Sequence, residues 1–267
     1  MGKFDGYLLL SDFDGTLSHD EKEFLPDGTK IYRKAISPEN CDAIRYFQSE
    51  GGLFTLATGR PFHWLKQWDE FFVPNTYIVS FNGAYICDAD GKDVLFSRAM
   101  DRDFLQKAEE IWKACPDLEW VHFHSVTESV MIKKGEPLSS ARLPASVYKM
   151  VFYAHKEQSD DYAARIATLL DDRFISMRSW INGIEVQMKG AGKGDAIPRL
   201  KKHLGDRARV AIAVGDYEND VDMIRSADIG YAVDNAVPVL KAVADRFTVS
   251  NRQSAIAKII EELGRDC

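Results

Sequence analysis

Long hydrophobic runs are absent from this sequence of 267 residues. The apolar stretch of residues 7–10 is far shorter than a signal-peptide core or the roughly 20 residues that a membrane-spanning helix needs. We therefore expect a soluble, cytoplasmic protein without a membrane partner.

Cysteine is scarce, with four residues dispersed along the chain: Cys41, Cys87, Cys115 and Cys267. No two of them form a C-x-x-C pair, and together they do not form a series of metal ligands. Because four dispersed cysteines in a chain of this size do not suggest a disulfide framework, we interpret them as free thiols in a reducing compartment.

Positive charge is in deficit, since 34 Lys and Arg residues stand against 41 Asp and Glu residues, a net charge of −7. Nucleic acids and anionic membranes attract basic surfaces, so this balance argues against both as partners. An anionic small molecule is not excluded, because its site needs only local positive charge. The hydrophobic fraction of 45% and the charged fraction of 28% are those of a globular rather than a disordered chain.

In the first and last thirds of the chain, short apolar segments alternate with amphipathic ones. The apolar segments are typical of strands buried on both faces, and they lie at residues 7–11, 53–57, 77–80, 210–214 and 229–233. Ser37 and Pro38 begin one amphipathic segment in the order typical of a helix N-terminus. Strands that alternate with helices favour right-handed crossovers, so the sequence predicts an α/β fold with a doubly wound parallel sheet.

The middle third differs in pattern. Asp90 and Gly91 separate two apolar segments, as in a β-hairpin, and further strand-like segments are mixed with two helical ones. This mixture predicts a separate α+β unit of residues 84–188. The unit interrupts a first domain that is formed by residues 1–83 and 189–267.

The strongest chemical signal directly follows the first predicted strand, where the sequence is Asp12-Phe13-Asp14-Gly15-Thr16. Ligands of parallel sheets bind at the carboxyl ends of the strands, which is where both carboxylates would lie. Gly15 lets the backbone turn away from a bound group. Taken alone, the motif is equally well explained by a solvated acidic turn.

Three further segments are predicted at the same end of the sheet. Thr58 follows the second strand, Lys193 begins a helix, and residues 215–220 follow a later strand with Asp216 and Asp220. Each has an ordinary explanation as a helix cap or a surface charge. Together they would collect carboxylates, a hydroxyl and an ammonium at one site, where the acidic excess needs a cation. An all-oxygen ligand set favours a hard ion, Mg²⁺ first.

The four motifs together resemble the haloacid dehalogenase-like superfamily of phosphohydrolases, in their order and approximate positions. Asn82-Gly83-Ala84, followed by a long insertion before Lys193, is similar to the Cof-type branch of that superfamily. The resemblance covers essentially the whole chain. It implies a Rossmann-like core of residues 1–83 and 189–267, with an inserted α+β cap of residues 84–188 that determines substrate specificity.

The resemblance also implies roles for the acidic residues. Asp12 would be the nucleophile that forms an aspartyl-phosphate, and Asp14 would be the general acid and base. Mg²⁺ would be held by the Asp12 carboxylate, the Asp14 backbone carbonyl and Asp216. Asp220 would not bind the ion directly but would support the water that is bound to it.

The phosphate or the substrate would be bound by the remaining motif residues, which are Phe13 through nearby backbone N–H groups, Thr58, Gly59, Arg60, Lys193 and Asn219. For Arg60, contact with the substrate and bracing of its own loop both remain open.

The function that follows is a Mg²⁺-dependent phosphatase that acts on a small phosphorylated metabolite, with a sugar phosphate as the favoured substrate. A phosphomutase or phosphotransferase that uses the same aspartyl-phosphate remains an alternative. A receiver-type signalling module is disfavoured, because it needs neither Asp14 nor a cap.

Weaker signals leave alternatives open. The charged stretch of residues 18–36 is longer than in typical relatives and forms either a plain surface loop or a rim of the active site. Residues 190–194 fail the phosphate-binding loop pattern, since Gln187 and Gly194 stand where Gly and Ser or Thr are required. His122 and His124 share one face of a predicted strand, either as metal ligands or as ordinary strand residues. No feature of the sequence indicates an oligomeric state.

Overall fold

The computed structural model describes residues 2–25, 27, 29–138 and 142–266. Strands occur throughout these residues: β1 (Tyr7–Ser11), β2 (His19–Phe24), β3 (Lys30–Ala35), β4 (Leu53–Leu56), β5 (Ile78–Ser80), β6 (Tyr85–Cys87), β7 (Val94–Ser97), β8 (Trp120–His124), β9 (Ser129–Lys133), β10 (Lys149–Tyr153), β11 (Phe174–Trp180), β12 (Gly183–Met188), β13 (Val210–Gly215), β14 (Ile229–Ala232) and β15 (Arg246–Phe247).

The α-helices connect and cover these strands: α1 (Pro38–Ser49), α2 (Phe62–Leu65), α3 (Phe104–Ala114), α4 (Lys156–Leu169), α5 (Lys193–Leu204), α6 (Val221–Ser226), α7 (Pro238–Lys241) and α8 (Ala255–Asp266). Within the described part of the chain, none of them is long and apolar enough to span a bilayer.

The central sheet has five parallel strands in the order β15-β14-β13-β1-β4. Leu9 of β1 is opposite Ile212 on one side and Phe54 on the other, and all three side chains are fully buried. A strand that is covered on both faces carries a continuous apolar run, which is why residues 8–10 contain no polar side chain. The predicted α/β fold with a parallel sheet is confirmed.

Helix α1 begins as the sequence predicts. The Ser37 side chain accepts a hydrogen bond from the Asn40 backbone N–H at 3.3 Å, and Pro38 occupies the first turn. The amphipathic segment of residues 236–244, from which the sequence predicts a helix, contains only the single turn α7. It ends early because the Asp245 N–H donates to the Gly230 carbonyl and draws the chain into the sheet as β15.

A second, antiparallel sheet is formed by the middle third in the order β11-β12-β10-β8-β9. Its buried apolar side chains form a hydrophobic cluster with those of α3 and α4, separate from the larger cluster around the central sheet. The hairpin predicted around Asp90 and Gly91 is confirmed as β6 and β7. These two strands pack with the larger cluster, and the division of the chain at residue 84 stays a prediction.

The charged stretch of residues 18–36 forms the antiparallel hairpin β2–β3, with Pro26 and Gly28 outside the described residues. Most of its side chains are exposed, including Phe24 and Tyr32. His19 is opposite Ala35, and the neighbouring Ser18 forms a bridge with Asp14, so the hairpin starts and finishes beside the predicted site.

The side chain of Asn40 joins α1 to α8 inside the core. It is fully buried, and its Oδ1 accepts a hydrogen bond from the Ala257 backbone N–H at 3.0 Å. We expect Asn40→Ala to lower the free energy of unfolding by about 1–3 kcal/mol, because a buried donor loses its partner. The check is urea denaturation beside Ser49→Ala on the exposed face of α1. Equal losses in the two variants would contradict this account of Asn40.

Candidate active site

The register of the central sheet brings two of the predicted aspartates together. Strand β1 pairs with β13 so that Ser11 is opposite Val214, and the next residues of each chain segment leave the sheet side by side. The Asp12 N–H donates to the Val214 carbonyl at 3.0 Å, which continues the pairing by one step. Asp12 and Asp216 therefore lie at the same edge of the sheet, as the sequence predicts.

Three carboxylates converge at this edge. One oxygen each from Asp12, Asp216 and Asp220 lies within 4.8 Å of the others. Asp216 also accepts a hydrogen bond from the Thr16 hydroxyl at 3.0 Å. Gly15 has a φ of +81°, and a Cβ there would lie 2.3 Å from Asp216 Oδ2, so only glycine lets the first motif approach so closely.

Lys193 lies within the acidic cluster as the first residue of α5. Its Nζ is 2.6 Å from Asp12 Oδ1 and 2.6 Å from Asp220 Oδ1, and its side chain is fully buried. Although burial opposes the charged form, the two carboxylates raise the pKa of Lys193 above its ordinary value. Lys193 is therefore an ammonium held in a fixed position.

The Asp220 carboxylate is held from two sides. Its Oδ2 accepts the backbone N–H groups of Asp216 at 3.0 Å and of Tyr217 at 3.2 Å, while its Oδ1 contacts Lys193. These bonds occupy both oxygens of Asp220. Asp12 and Asp216 keep the freer oxygens of the cluster.

The cluster holds more negative charge than Lys193 can offset. Burial, followed by repulsion from the other aspartates, raises the pKa of Asp12 well above its ordinary value despite the opposing effect of Lys193. Burial and the Asp220 charge raise the pKa of Asp216 to about 7. A hard divalent cation would relieve this repulsion, and the all-oxygen donor set is the one that such ions take. The residues present therefore fit a divalent metal.

The predicted phosphate-binding residues surround the acidic cluster. Thr58 is buried in a turn where its hydroxyl accepts the Arg60 N–H at 3.1 Å. Asn219 donates from Nδ2 to Asn82 Oδ1 at 3.1 Å. The side chain of Phe13 packs in the core against Trp68, which leaves only its backbone for the site.

Arg60 contacts Asp14. Its Nε and Nη2 donate to the two carboxylate oxygens of Asp14 at 2.6 and 2.7 Å, and its guanidinium lies 4.9 Å from the centre of the Phe13 ring. Burial acts to raise the pKa of Asp14, but the hydrogen bonds and charge of Arg60, with the charge of Lys34, lower it below its ordinary value. In this arrangement Asp14 is a carboxylate.

Lys34 is a site residue that the sequence analysis did not identify. It is near the end of β3, and its Nζ lies 3.2 Å from Asp14 Oδ1 and 2.9 Å from Asp20 Oδ1. It also lines the active-site cavity, so the hairpin β2–β3 contributes one residue to the rim. A lysine in a charged stretch gives no sequence signal of this position.

A cavity of about 390 Å³ lies between the carboxyl end of the central sheet and one face of the antiparallel sheet. Its floor includes Asp12, Asp14, Thr58, Asp216 and Asn219. Its opposite wall comes from alternate residues of the antiparallel strands and from the bulge in β11: Trp120, His122, His124, Lys149, Val151, Ser179, Trp180 and Glu185. The sequence predicts that His122 and His124 share one strand face, but it does not predict Lys149 or Glu185 as cavity residues.

The two histidines do not form a metal centre with other ligands. Their rings are 5.2 Å apart, and His124 Nδ1 is 2.7 Å from the Ser129 hydroxyl. Among the described residues, the three aspartates are the one group of three His, Cys, Asp or Glu side chains close enough to hold an ion. His122 and His124 are strand residues that line the cavity.

Comparisons with known proteins identify the family of this chain. The model of the haloacid dehalogenase-like hydrolase family matches residues 9–260. A 5-amino-6-(5-phospho-D-ribitylamino)uracil phosphatase of Bacillus subtilis (strain 168) is 24% identical over an alignment that covers 96% of this chain and 97% of that protein.

Solved structures show the same fold. A HAD/COF-like hydrolase of Plasmodium vivax has a TM-score of 0.79 and 20% identity over 100% of this chain and 97% of its own. A sugar phosphatase of HAD subclass IIB has a TM-score of 0.74 and 20% identity over 97% of this chain and 99% of its own. The chain therefore belongs to the haloacid dehalogenase-like hydrolases.

Proposed function

We propose that the chain hydrolyses the phosphate monoester of a small metabolite through an aspartyl-phosphate on Asp12, with Mg²⁺ as its metal. The observation that carries the proposal is the position of Asp12, which lies on the cavity floor between Lys193 and Asp216. A carboxylate that attacks a phosphate ester needs positive charge beside it and an open approach from one side. Asp12 has both.

The Asp12 carboxylate, the Asp14 backbone carbonyl and Asp216 would hold Mg²⁺. When bound, the ion supplies charge neutralisation for the phosphoryl oxygens and for Asp12. Asp220 has a different role, since both of its oxygens are occupied by Lys193 and by backbone amides. It holds Lys193 in place and adds negative charge behind the metal ligands.

The phosphate would lie between the Thr58 hydroxyl, the Lys193 ammonium and the Asn219 amide, with backbone N–H groups next to Phe13 and at Gly59. These donors stabilise the charge that spreads over the phosphoryl oxygens in the transition state. The Lys193 ammonium neutralises one of these oxygens while it stays bonded to Asp220.

Asp14 would protonate the leaving oxygen and then take a proton from the attacking water. As a base it is ready, because Arg60 and Lys34 keep it ionised. As an acid it must first gain a proton, which requires its ion pair with Arg60 to open. We assign Arg60 to bracing Asp14 rather than to binding the substrate, on the strength of its two hydrogen bonds.

The cavity wall formed by the antiparallel sheet, which we call the substrate wall, supports the proposal that the substrate is a sugar phosphate. Trp120 and Trp180 offer flat apolar surfaces beside polar groups, which suits the mixed C–H and hydroxyl surface of a sugar. The solved sugar phosphatase shares the fold of both sheets. We extend the proposal to a cap of residues 84–188 on a catalytic core of residues 1–83 and 189–267.

The cellular setting belongs to the same proposal. Cys41, Cys87 and Cys115 are free and buried, which supports a reducing, cytoplasmic location. The net charge of −7 supports a small-molecule partner rather than nucleic acid.

The first test concerns the nucleophile. We expect Asp12→Asn to lower kcat for an aryl phosphate by about 1,000-fold or more, because an amide does not attack phosphorus. Asp222→Asn, which changes an exposed aspartate near the site, is the matched control and should stay near the parent rate. A folded Asp12→Asn variant that keeps a tenth of the parent turnover would exclude Asp12 as the nucleophile.

The second test concerns the metal. Removal of divalent ions with a chelator should abolish turnover, and added Mg²⁺ should restore it, because the acidic cluster needs a cation. Ca²⁺ should inhibit, since its looser coordination lets both oxygens of Asp12 bind the ion and removes the attacking lone pair. Initial rates over a metal titration give the result. Full activity in excess chelator would contradict the metal assignment.

A further inference from the structure

The active-site cavity contains a buried ion pair that the chemistry above does not use. Lys149 of β10 and Glu185 of β12 both face the cavity, and Lys149 Nζ is 2.7 Å from Glu185 Oε1. Their side chains are 5% and 2% exposed. The desolvation of two charges buried to this extent is offset only when they are well paired and their remaining lone pairs and protons are hydrogen-bonded.

Glu185 is fully satisfied by its neighbours. Its Oε1 accepts the Ser179 hydroxyl at 2.6 Å in addition to Lys149, and its Oε2 accepts the Asn82 side-chain amide. Both carboxylate oxygens are therefore occupied by fixed donors. Glu185 therefore positions Lys149 and has few free lone pairs with which to accept a hydrogen bond from a substrate.

Asn82 is itself held in place by a constrained backbone. It adopts a left-handed conformation with a φ of 55°, directly after Phe81 with a φ of 49°. Such conformations are rare for residues other than glycine and persist only where the surroundings require them. The Asn82 N–H donates to the Thr58 carbonyl at 2.8 Å, so the ion pair is tied to the phosphate-binding turn.

Lys149 has donors to spare. An ammonium has three N–H groups, and Glu185 is the one acceptor within hydrogen-bonding distance of Lys149 Nζ among the described residues. Nζ lies 3.3 Å from the point that a Cβ on Gly59 would occupy, which places it directly over the turn of Thr58 and Gly59. Among the described residues of the antiparallel sheet that line the cavity, Lys149 is the one lysine or arginine.

The charge of this wall is balanced. Burial and the nearby Lys149 lower the pKa of His124 to about 2 and also lower the pKa of His122, so both imidazoles are neutral. Lys149 and Glu185 then cancel each other. A neutral hydroxyl can use the spare donors without cost, whereas a carboxylate would bring a buried charge that has no cation of its own.

We propose that Lys149, held by Glu185, donates a hydrogen bond to a hydroxyl oxygen on the leaving group next to the ester carbon. Lys149 thereby selects hydroxyl-bearing esters over plain alkyl esters and over esters that carry a carboxylate. The inference rests on the proposed phosphatase function, and it adds a residue that determines specificity.

The test compares 2-hydroxyethyl phosphate with ethyl phosphate, two esters that differ by one hydroxyl. For the parent enzyme, kcat/KM should favour the hydroxylated ester by about tenfold or more, since a site built around a hydrogen bond rejects a substrate without it. Lys149→Met should bring this ratio close to one. Lys113→Met, which changes an exposed lysine of α3, should keep the parent ratio.

A second variant tests the charge balance by a gain of function. Glu185→Gln keeps the shape of the Glu185 side chain but removes its negative charge, which leaves the Lys149 charge unbalanced. The kcat/KM for 2-phosphoglycolate, relative to that for 2-hydroxyethyl phosphate, should rise by about tenfold. An unchanged relative rate would overturn the charge-balance argument.

The outcomes separate this inference from the function on which it rests. If the parent enzyme hydrolyses no phosphate ester, the proposed function fails and the inference with it. If the esters are hydrolysed but Lys149→Met lowers both rates equally, Lys149 acts on the phosphoryl group and the inference is wrong. If Lys149→Met leaves both rates near those of the parent enzyme, the pair is only structural, which also overturns the inference.

Loss of folding does not remove the test. Lys149→Met leaves Glu185 as an unpaired buried charge, so the double variant Lys149→Met/Glu185→Gln removes both charges together. Thermal melting identifies the variants that fold. The double variant should show the same loss of preference for the hydroxylated ester, and a retained preference would contradict the proposal.

Discussion

The buried ammonium of Lys193 is the constraint around which the active site is built. Its Nζ is 2.6 Å from both Asp12 and Asp220, and no part of the side chain is exposed. Buried carboxylates are tolerated only when they are paired, so Asp12 can lie in the cavity floor because Lys193 begins α5 next to it. Burial and the remaining excess of negative charge raise the pKa values of Asp12 and Asp216. A divalent cation would offset that excess.

The antiparallel sheet is joined to this centre by specific bonds. Asn82 links Glu185 of β12 to Asn219, and Arg178 of β11 lies 2.6 Å from Glu218 Oε1, next to Asn219 in the chain. Both links end beside a residue that is assigned to the phosphate. Hydrogen bonds and an ion pair therefore connect the antiparallel sheet to the loop that carries Asn219.

The sequence predicts those parts of the protein that depend on short segments. The parallel sheet follows from apolar runs of fixed length, and the convergence of Asp12 and Asp216 follows from motifs at strand ends. Lys34 and Lys149 could not be found in this way. Lys34 lies in a polar strand and Lys149 begins an otherwise apolar one. Each reaches the cavity through strand pairing across many residues, which no local pattern around the lysine predicts. The ion pair of Arg60 with Asp14 depends on side-chain geometry, so the sequence left two roles open for Arg60.

We propose that Asp12 carries the phosphoryl group between the two halves of the reaction. The most direct measurement is rapid acid quenching during turnover, followed by mass spectrometry of the peptide that contains Asp12. We expect a fraction of this peptide to be heavier by one phosphoryl group. This fraction should be absent from the Asp12→Asn variant and from samples quenched before substrate is added. A phosphoryl group found on another residue, or phosphate release in single turnover without any modified peptide, would contradict it.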